Sequence, residues 1–210
     1  MQGAVQGKRG ILFVVSAPSG AGKTTLVRKV IAQLPGVSLS VSCTTRAPRP
    51  GEEEGVDYFF ITRDEFNAME RKGRFIESAQ VHGDLYGTPR ANIERLERSE
   101  DLVLEIDTQG ARKIREAFKE VVLVFILPPS LEVLQGRIRG RGGASEEAIQ
   151  ARLHNAQKEL DQKAWYDYIV VNAEIEEAAR ELASIIIAER CKTARILSGG
   201  RGGTYGTDNG

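Results

Sequence analysis

Lys23-Thr24 follows the small residues Gly20-Ala21-Gly22, and the apolar run Ile11-Leu12-Phe13-Val14-Val15 lies just upstream. This spacing suits chemistry on a triphosphate. The stretch Ala17, Pro18, Ser19, Gly20, Ala21, Gly22, Lys23, Thr24, Thr25 matches the phosphate loop G-x-x-x-x-G-K-[ST], with Ala17 where the pattern has its first glycine. A buried strand delivers such a loop with its backbone N–H groups turned inward. The helix expected to start near Lys23 adds its positive dipole end to the same pocket. Lys23 would reach the β- and γ-phosphates, and the Thr24 hydroxyl would hold Mg²⁺. Ala17 fits this role if its φ is negative, since only glycine adopts positive φ freely.

A phosphate loop names the donor and leaves the acceptor open. Three classes compete: a small-molecule kinase, a GTPase switch, and a binding module that keeps a kinase shape without turnover. Asp107-Thr108-Gln109-Gly110 has the D-x-x-G form of a switch. The guanine-reading N-K-x-D that a switch also needs is missing, because none of Asn67, Asn92, Asn155, Asn172 and Asn209 precedes a lysine.

The stretch after the first helix separates the other two. It runs Ser42-Cys43-Thr44-Thr45-Arg46-Ala47-Pro48-Arg49-Pro50-Gly51-Glu52, then Gly55-Val56-Asp57-Tyr58-Phe59-Phe60, Phe75-Ile76-Glu77-Ser78-Ala79 and Gly83-Asp84-Leu85-Tyr86-Gly87-Thr88. In order and spacing this set resembles the guanylate kinases, which make GDP from GMP and ATP, and the resemblance runs from the phosphate loop to about Glu189. It implies that Arg46, Arg49, Tyr58 and Tyr86 clamp the GMP phosphate, with Glu52 close to the arginines and the metal. It implies that Ser42, Glu77, Thr88 and Asp107 read the guanine. It puts Arg137, Arg141 and Arg152 on a lid over ATP, and Asn172 against the adenine. The catalytic set it implies is Lys23, Arg46, Arg137, Arg141 and Arg152, with Mg²⁺ accompanying ATP.

These roles suit the residue types. Two arginines on a Pro-constrained turn can grip a dianion through charge-assisted, partly bidentate bonds. Guanine presents N1–H and N2–H₂ as adjacent donors, and an ionised carboxylate only accepts. Adenine offers an acceptor at N1, and a buried acceptor left unpaired costs about 1–3 kcal/mol. Glu105 or Asp107, at the end of one strand, could hold a metal-bound water; the resemblance favours Asp107 for guanine and leaves Glu105 undecided. His82 and His154 form no catalytic or metal pattern and read as structural.

The elements that must position these residues follow from hydrophobic pattern. Near-continuous apolar, β-branched runs predict buried strands at Ile11–Ser16, Leu102–Ile106, Val121–Leu127 and Tyr168–Val171. Helical patterns fall at Lys23–Gln33, Thr108–Phe118, Leu131–Arg139, Ser145–Lys163 and Ile175–Arg190, with Ser145 as an N-cap. Strand alternating with helix predicts an α/β fold whose parallel sheet is flanked by helices. Residues 9–36, 97–127 and 164–190 form the expected core. Residues 37–96 read as an inserted α+β subdomain for the monophosphate, with strand-like pieces at Asp57–Ile61 and Phe75–Val81 and a helix near Arg63–Lys72. Residues 128–163 read as a helical lid, broken by the Gly140-Arg141-Gly142-Gly143 loop. Together these make a domain over residues 1–197, and the Gly-rich stretch 198–210 reads as a disordered tail.

The bulk numbers agree with an ordinary globular enzyme. The chain has 210 residues, 41% hydrophobic and 28% charged, with 29 Lys+Arg against 29 Asp+Glu. A zero net charge argues against nucleic acid as a partner, and no apolar run approaches the roughly 18 residues of a membrane span. Cys43 and Cys191 read as free thiols in a reducing compartment, the cytoplasm.

Overall fold

Leu12–Ser16 (β1) is buried along its whole length, as a strand covered on both faces must be. Its alternation sorts the core into two layers. Phe13 and Val15 join one apolar cluster with Val27, Leu182 and Ile186. Leu12 and Val14 join another with Leu104, Ile114, Phe125, Leu134 and Leu160. The structure, a computed structural model, describes residues 9–81, 83–98, 100–140 and 145–198.

Helix α1 (Lys23–Gln33) leads to strands β2 (Val37–Leu39), β3 (Ser42–Thr44) and β4 (Tyr58–Phe60), and then to helix α2 (Arg63–Arg71). Strands β5 (Phe75–Val81) and β6 (Asp84–Pro89) form a hairpin, followed by the short helix α3 (Glu94–Glu97). The chain continues through β7 (Asp101–Glu105), α4 (Thr108–Ala117), β8 (Val122–Leu127), α5 (Leu131–Arg139), α6 (Glu146–Leu160), β9 (Tyr168–Val171), α7 (Ile175–Arg190) and α8 (Thr193–Ser198).

Five strands form a parallel sheet in the order β2-β7-β1-β8-β9. The order reverses at β1, whose neighbours are β7 on one side and β8 on the other. Ligands of doubly wound sheets bind at the carboxyl ends of the strands at such a reversal. Four strands, β4-β3-β6-β5, form a separate mixed sheet with α2 packed on it. Phe66 and Phe75 stack at 4.5 Å in the small core between them, beside Cys43. Thr62 and Glu65 close α2 with a capping box, and Ser145 accepts the Ala148 N–H as the expected N-cap of α6.

Several pieces differ from the sequence reading. Val37–Leu39 lies in the stretch assigned to the insertion but pairs with β7 at the edge of the core sheet. The hairpin partner β6 and strand β3 were not anticipated, because each is short and mixes Gly, Pro or polar residues with its apolar ones. The long lid helix stops at Leu160, and a 3₁₀ turn at Lys163–Trp165 precedes β9. After α7 the chain makes one more helix, α8, over residues to which the sequence reading assigned no element. Glu189 helps hold that end: fully buried, it accepts from the Tyr168 hydroxyl at 2.6 Å and pairs with Lys192 at 2.6 Å. Residues 199–210 of the expected tail lie outside the described residues.

Candidate active site

The phosphate loop joins β1 to α1 at the sheet's reversal point. Gly22 takes φ 85° as the N-cap of α1, and no side chain caps that helix. Its first N–H groups are therefore available to an anion. The loop is braced from the far end of the chain: Asn172 donates its amide to the Ala21 carbonyl at 2.7 Å. A Cβ on Gly22 would stand 2.6 Å from that amide nitrogen, so both backbone conformation and space call for glycine there. Ala17 and Ala21 are buried in the core cluster on the α1 side. The methyl at position 17 thus packs inward where the motif's usual residue has no side chain. Asn172, read as an adenine contact, has its amide committed to the loop but still lines a cleft of about 370 Å³ with Gly20, Gly22, Thr25, Arg137 and Ile175.

Glu105, at the end of β7, meets the two chemical residues of the loop. Lys23 Nζ lies 3.3 Å from Glu105 Oε1, and the Thr24 hydroxyl donates to the same oxygen. The sequence reading left Glu105 undecided; its place two residues before Asp107 on a buried strand was the available signal.

The inserted sheet carries a second charged cluster. Arg46 donates through Nη1 and Nη2 to the two carboxylate oxygens of Glu52, both at 2.9 Å, and through Nε to the Tyr86 hydroxyl at 3.2 Å. Its guanidinium lies 5.5 Å from the Tyr58 ring centre, and Tyr58 meets Tyr86 edge-on at 5.9 Å. Burial works against the Arg46 charge, but the Glu52 and Tyr86 contacts outweigh it and hold the proton more tightly than usual. Burial also works against the Glu52 charge, and the Arg46 and Arg49 contacts overcome it to hold Glu52 below the usual carboxylate range. Burial, with the Glu105 charge nearby, pushes the Tyr58 phenol up to about 12. Arg49 is exposed and joins the cluster through its backbone N–H, which donates to Glu52 at 2.7 Å.

Ser42, Glu77 and Thr88 are all buried on this sheet, beside the N-terminus of α4. Thr88 donates to Glu77 at 2.5 Å, and the Ser42 and Thr88 hydroxyls lie 3.5 Å apart. Asp107 caps α4 by accepting the Gly110 N–H at 2.8 Å. Burial and then the Asp107 charge raise the Glu77 carboxyl against the opposing pull of the Thr88 bond. Glu77 Oε2 and Asp107 Oδ1 thus both face Gly110 of α4, one coming from the separate sheet and one from the turn after β7.

Helix α5 rests against the loop, with Leu134 and Ile138 nearest Gly20, and α6 shares its apolar cluster. Arg137 on α5 is half-buried at the cleft, and Arg152 on α6 is half-buried. Arg139 and Glu146 pair across the lid at 3.1 Å, which the sequence reading missed. His154 is exposed on α6. Arg141, with Gly142 and Gly143, and His82 lie outside the described residues.

Comparison with known proteins adds the family. The guanylate kinase family model matches residues 9–189. The chain belongs to the guanylate kinase family. It is 50% identical over 191 residues to a guanylate kinase of Geobacter sulfurreducens, covering 90% of this chain and 94% of that one. It is 45% identical to one of Symbiobacterium thermophilum, with 89% of each chain covered. A crystal structure of guanylate kinase from Anaplasma phagocytophilum superposes with a TM-score of 0.77 at 38% identity, covering 90% of both chains. The family's build is therefore present from the phosphate loop through α7, including the separate sheet that carries Arg46 and Glu77.

Proposed function

We propose that this chain transfers the γ-phosphoryl group of ATP to GMP, giving ADP and GDP. The observation that carries this is the approach of Glu77 and Asp107 to one another near a phosphate loop that departs from its pattern only at Ala17, in a chain half-identical to a guanylate kinase. Guanine offers adjacent donors to paired anionic acceptors, whereas adenine would leave a buried carboxylate unpaired. A site built this way can reject the wrong base by about 10⁴-fold.

A GMP phosphate oxygen attacks the γ-phosphorus in line, the new P–O bond forms, and the bond to the β-bridging oxygen breaks with ADP leaving. The attacking phosphate has a second pKa of about 6, so it is largely ionised at neutral pH and needs no protein base. Arg46, Arg49, Tyr58 and Tyr86 hold that phosphate, with Glu52 keeping Arg46 in register. Ser42 and Thr88 complete the base pocket. Lys23, Arg137, Arg141 and Arg152 compensate charge on the moving phosphoryl group, a role in which one arginine can contribute about 10³-fold. The loop residues Ala17 to Thr25 and Asn172 cradle the donor nucleotide. Thr24 and Glu105 present an all-oxygen pair of the kind Mg²⁺ accepts alongside phosphates and waters, so these residues fit that ion. Bound there with ATP, Mg²⁺ would supply charge neutralisation on the β- and γ-phosphates. Cys43 and Cys191 are unpaired, which supports a reducing compartment and a cytoplasmic place of action. No helix among the described residues is long and apolar enough to cross a membrane.

Steady-state phosphorylation of GMP, AMP, dTMP and CMP with Mg-ATP tests the reading. GMP is the expected acceptor by a wide margin. Equal rates with AMP would overturn the base assignment, and binding without turnover would favour the inactive-module alternative.

A further inference from the structure

Helix α1, which starts in the phosphate loop, carries a link to the separate sheet that the reaction as described does not use. Leu26, Val27 and Val30 take its buried side. Thr24 and Arg28, four residues apart, share another face. The Thr24 hydroxyl bonds to Glu105 at the end of β7. Arg28 lies one turn further on, about 6 Å along the helix axis. Its Nη2 donates to Asp57 Oδ1. Asp57 immediately precedes β4, which belongs to the separate sheet. An ion pair therefore joins the helix of the phosphate loop to the sheet that carries Arg46 and Glu77.

Asp57 is tied into the turn on its own side as well. Its second oxygen, Oδ2, accepts the Glu53 N–H at 2.8 Å, and its own N–H donates to the Glu53 carbonyl at 3.0 Å. The Gly55 N–H donates to the Tyr58 carbonyl at 2.8 Å, which closes the same turn. At the two ends of this turn stand Glu52, which holds Arg46 through both carboxylate oxygens, and Tyr58, whose ring centre lies 5.5 Å from the Arg46 guanidinium. The Asp57 side chain is 10% exposed and that of Arg28 45%. An ordinary surface ion pair does little, because water screens it and both side chains are free to move. Here the carboxylate is largely out of water and locked to the backbone, so a pull from Arg28 is felt by the whole turn.

We infer that Arg28 and Asp57 are positioning residues that fix the Glu52–Tyr58 turn, and with it Arg46, relative to the helix that begins at the phosphate loop. Their role rests on the reading of this site as an ATP-dependent GMP kinase. In-line transfer needs the reacting atoms of donor and acceptor within about 3–3.5 Å of each other. The donor is held by the loop at the start of α1, and the acceptor phosphate by Arg46 and its neighbours. The Arg28–Asp57 pair sets the register of one against the other. Loosening it weakens use of GMP and leaves the ATP cradle intact.

The test varies Arg28, whose exposed side chain can be replaced without opening the core, and measures kcat/KM for GMP at saturating Mg-ATP. Arg28→Ala lowers it about 5-fold, the upper range for a partly exposed pair. Arg28→Glu, which sets a like charge against Asp57, lowers it about 20–100-fold. Arg28→Lys returns it to within about 2-fold of wild type, since the contact to replace is a single charged donor. Calorimetric titration of ATP alone gives wild-type affinity in all three. Asp57→Asn keeps an acceptor for the Glu53 N–H and removes the charge. Combined with Arg28→Ala, it lowers kcat/KM no further than the worse single variant, as coupled partners do. The gap between wild type and Arg28→Ala narrows as KCl is raised from about 0.05 to 0.5 M, because salt screens a partly exposed pair. Wild-type use of GMP by Arg28→Ala, losses that multiply in the double variant, or equal losses of ATP and GMP binding would each overturn the inference while leaving the kinase reading intact. Failure of wild type to phosphorylate GMP would overturn that reading, and calorimetric titration of GMP into the same variants would still decide whether the pair positions the Arg46 cluster.

Discussion

The Glu77 carboxylate occupies the space that a side chain at Gly110 would need. A Cβ on Gly110 would stand 2.7 Å from Glu77 Oε2 and 3.3 Å from Asp107 Oδ1. Gly110 belongs to the core helix α4 and Glu77 to the separate sheet, so one missing side chain lets the carboxylate of the one lie against the backbone of the other.

Replacing Gly110 by alanine drives this methyl into a carboxylate that Thr88 already holds at 2.5 Å. Overpacking of this kind costs about 1–3 kcal/mol, which converts to a rise of about 5–150-fold in KM for GMP. KM for ATP stays near wild type, because the phosphate loop is untouched. Initial-rate kinetics with each substrate varied in turn check this; equal effects on both constants would mean a general loss of structure.

Glu77→Gln separates function from stability. Burial and Asp107 raise the Glu77 carboxyl above its ordinary value, so the folded protein holds this proton more tightly than the unfolded chain. Stability contributed by this group is full below the unfolded pKa and is lost as pH rises through the folded one. The variant should therefore lose part of the alkaline-side decline in melting temperature. Its kcat/KM for GMP should fall by about 10²-fold, since hydrogen bonds to a charged acceptor contribute about 1.5–3 kcal/mol. Thermal melts across pH 5 to 9, as roughly bracketed by carboxyl titration, together with GMP kinetics, read both effects.

Arg46→Lys keeps the charge but loses the two-pronged contact with Glu52. An ammonium cannot match both carboxylate oxygens and the Tyr86 hydroxyl at once. The expected outcome is a drop of about 10–100-fold in kcat/KM for GMP, with ATP binding preserved. Isothermal titration of ATP alone, beside a coupled kinase assay, distinguishes this from misfolding.

Asp101 and Arg190 sit at the opposite end of the sheet from the phosphate loop and form the pair to test for stability. Asp101 accepts the Ile11 N–H at 2.8 Å through one oxygen and Arg190 Nε at 2.6 Å through the other, and its side chain is only 4% exposed. Asp101→Ala leaves a buried N–H and a partly buried guanidinium without this partner, at a cost of about 3–5 kcal/mol. Urea denaturation should show that loss, while kcat and both KM values at low temperature stay close to wild type.

Much of this was legible in the chain because it rests on local signals. Strongly periodic segments with clear stops predicted α1, α5 and α7 with the same bounds the structure has. The phosphate loop was legible because its residue types are dictated by backbone geometry, as the φ of Gly22 illustrates. Val37–Leu39 was misplaced because three residues carry no readable period, and its partner Asp101 lies across the whole insertion. Tyr86 and Thr88 were picked out through family resemblance, although the strand that presents them was not predicted: Gly87 and Pro89 interrupt its pattern.

The way β2 and β7 lie side by side bears on how such enzymes could diversify. Ser40 is still bonded to Val103 as the chain departs, and Asp101 is already paired with Val37 as it returns. The unit that carries Arg46 and Glu77 is therefore a cassette whose two ends leave from the two ends of one three-rung ladder. Exchanging it for another unit with similarly spaced ends would change which molecule receives the phosphate without rebuilding the machinery that donates it.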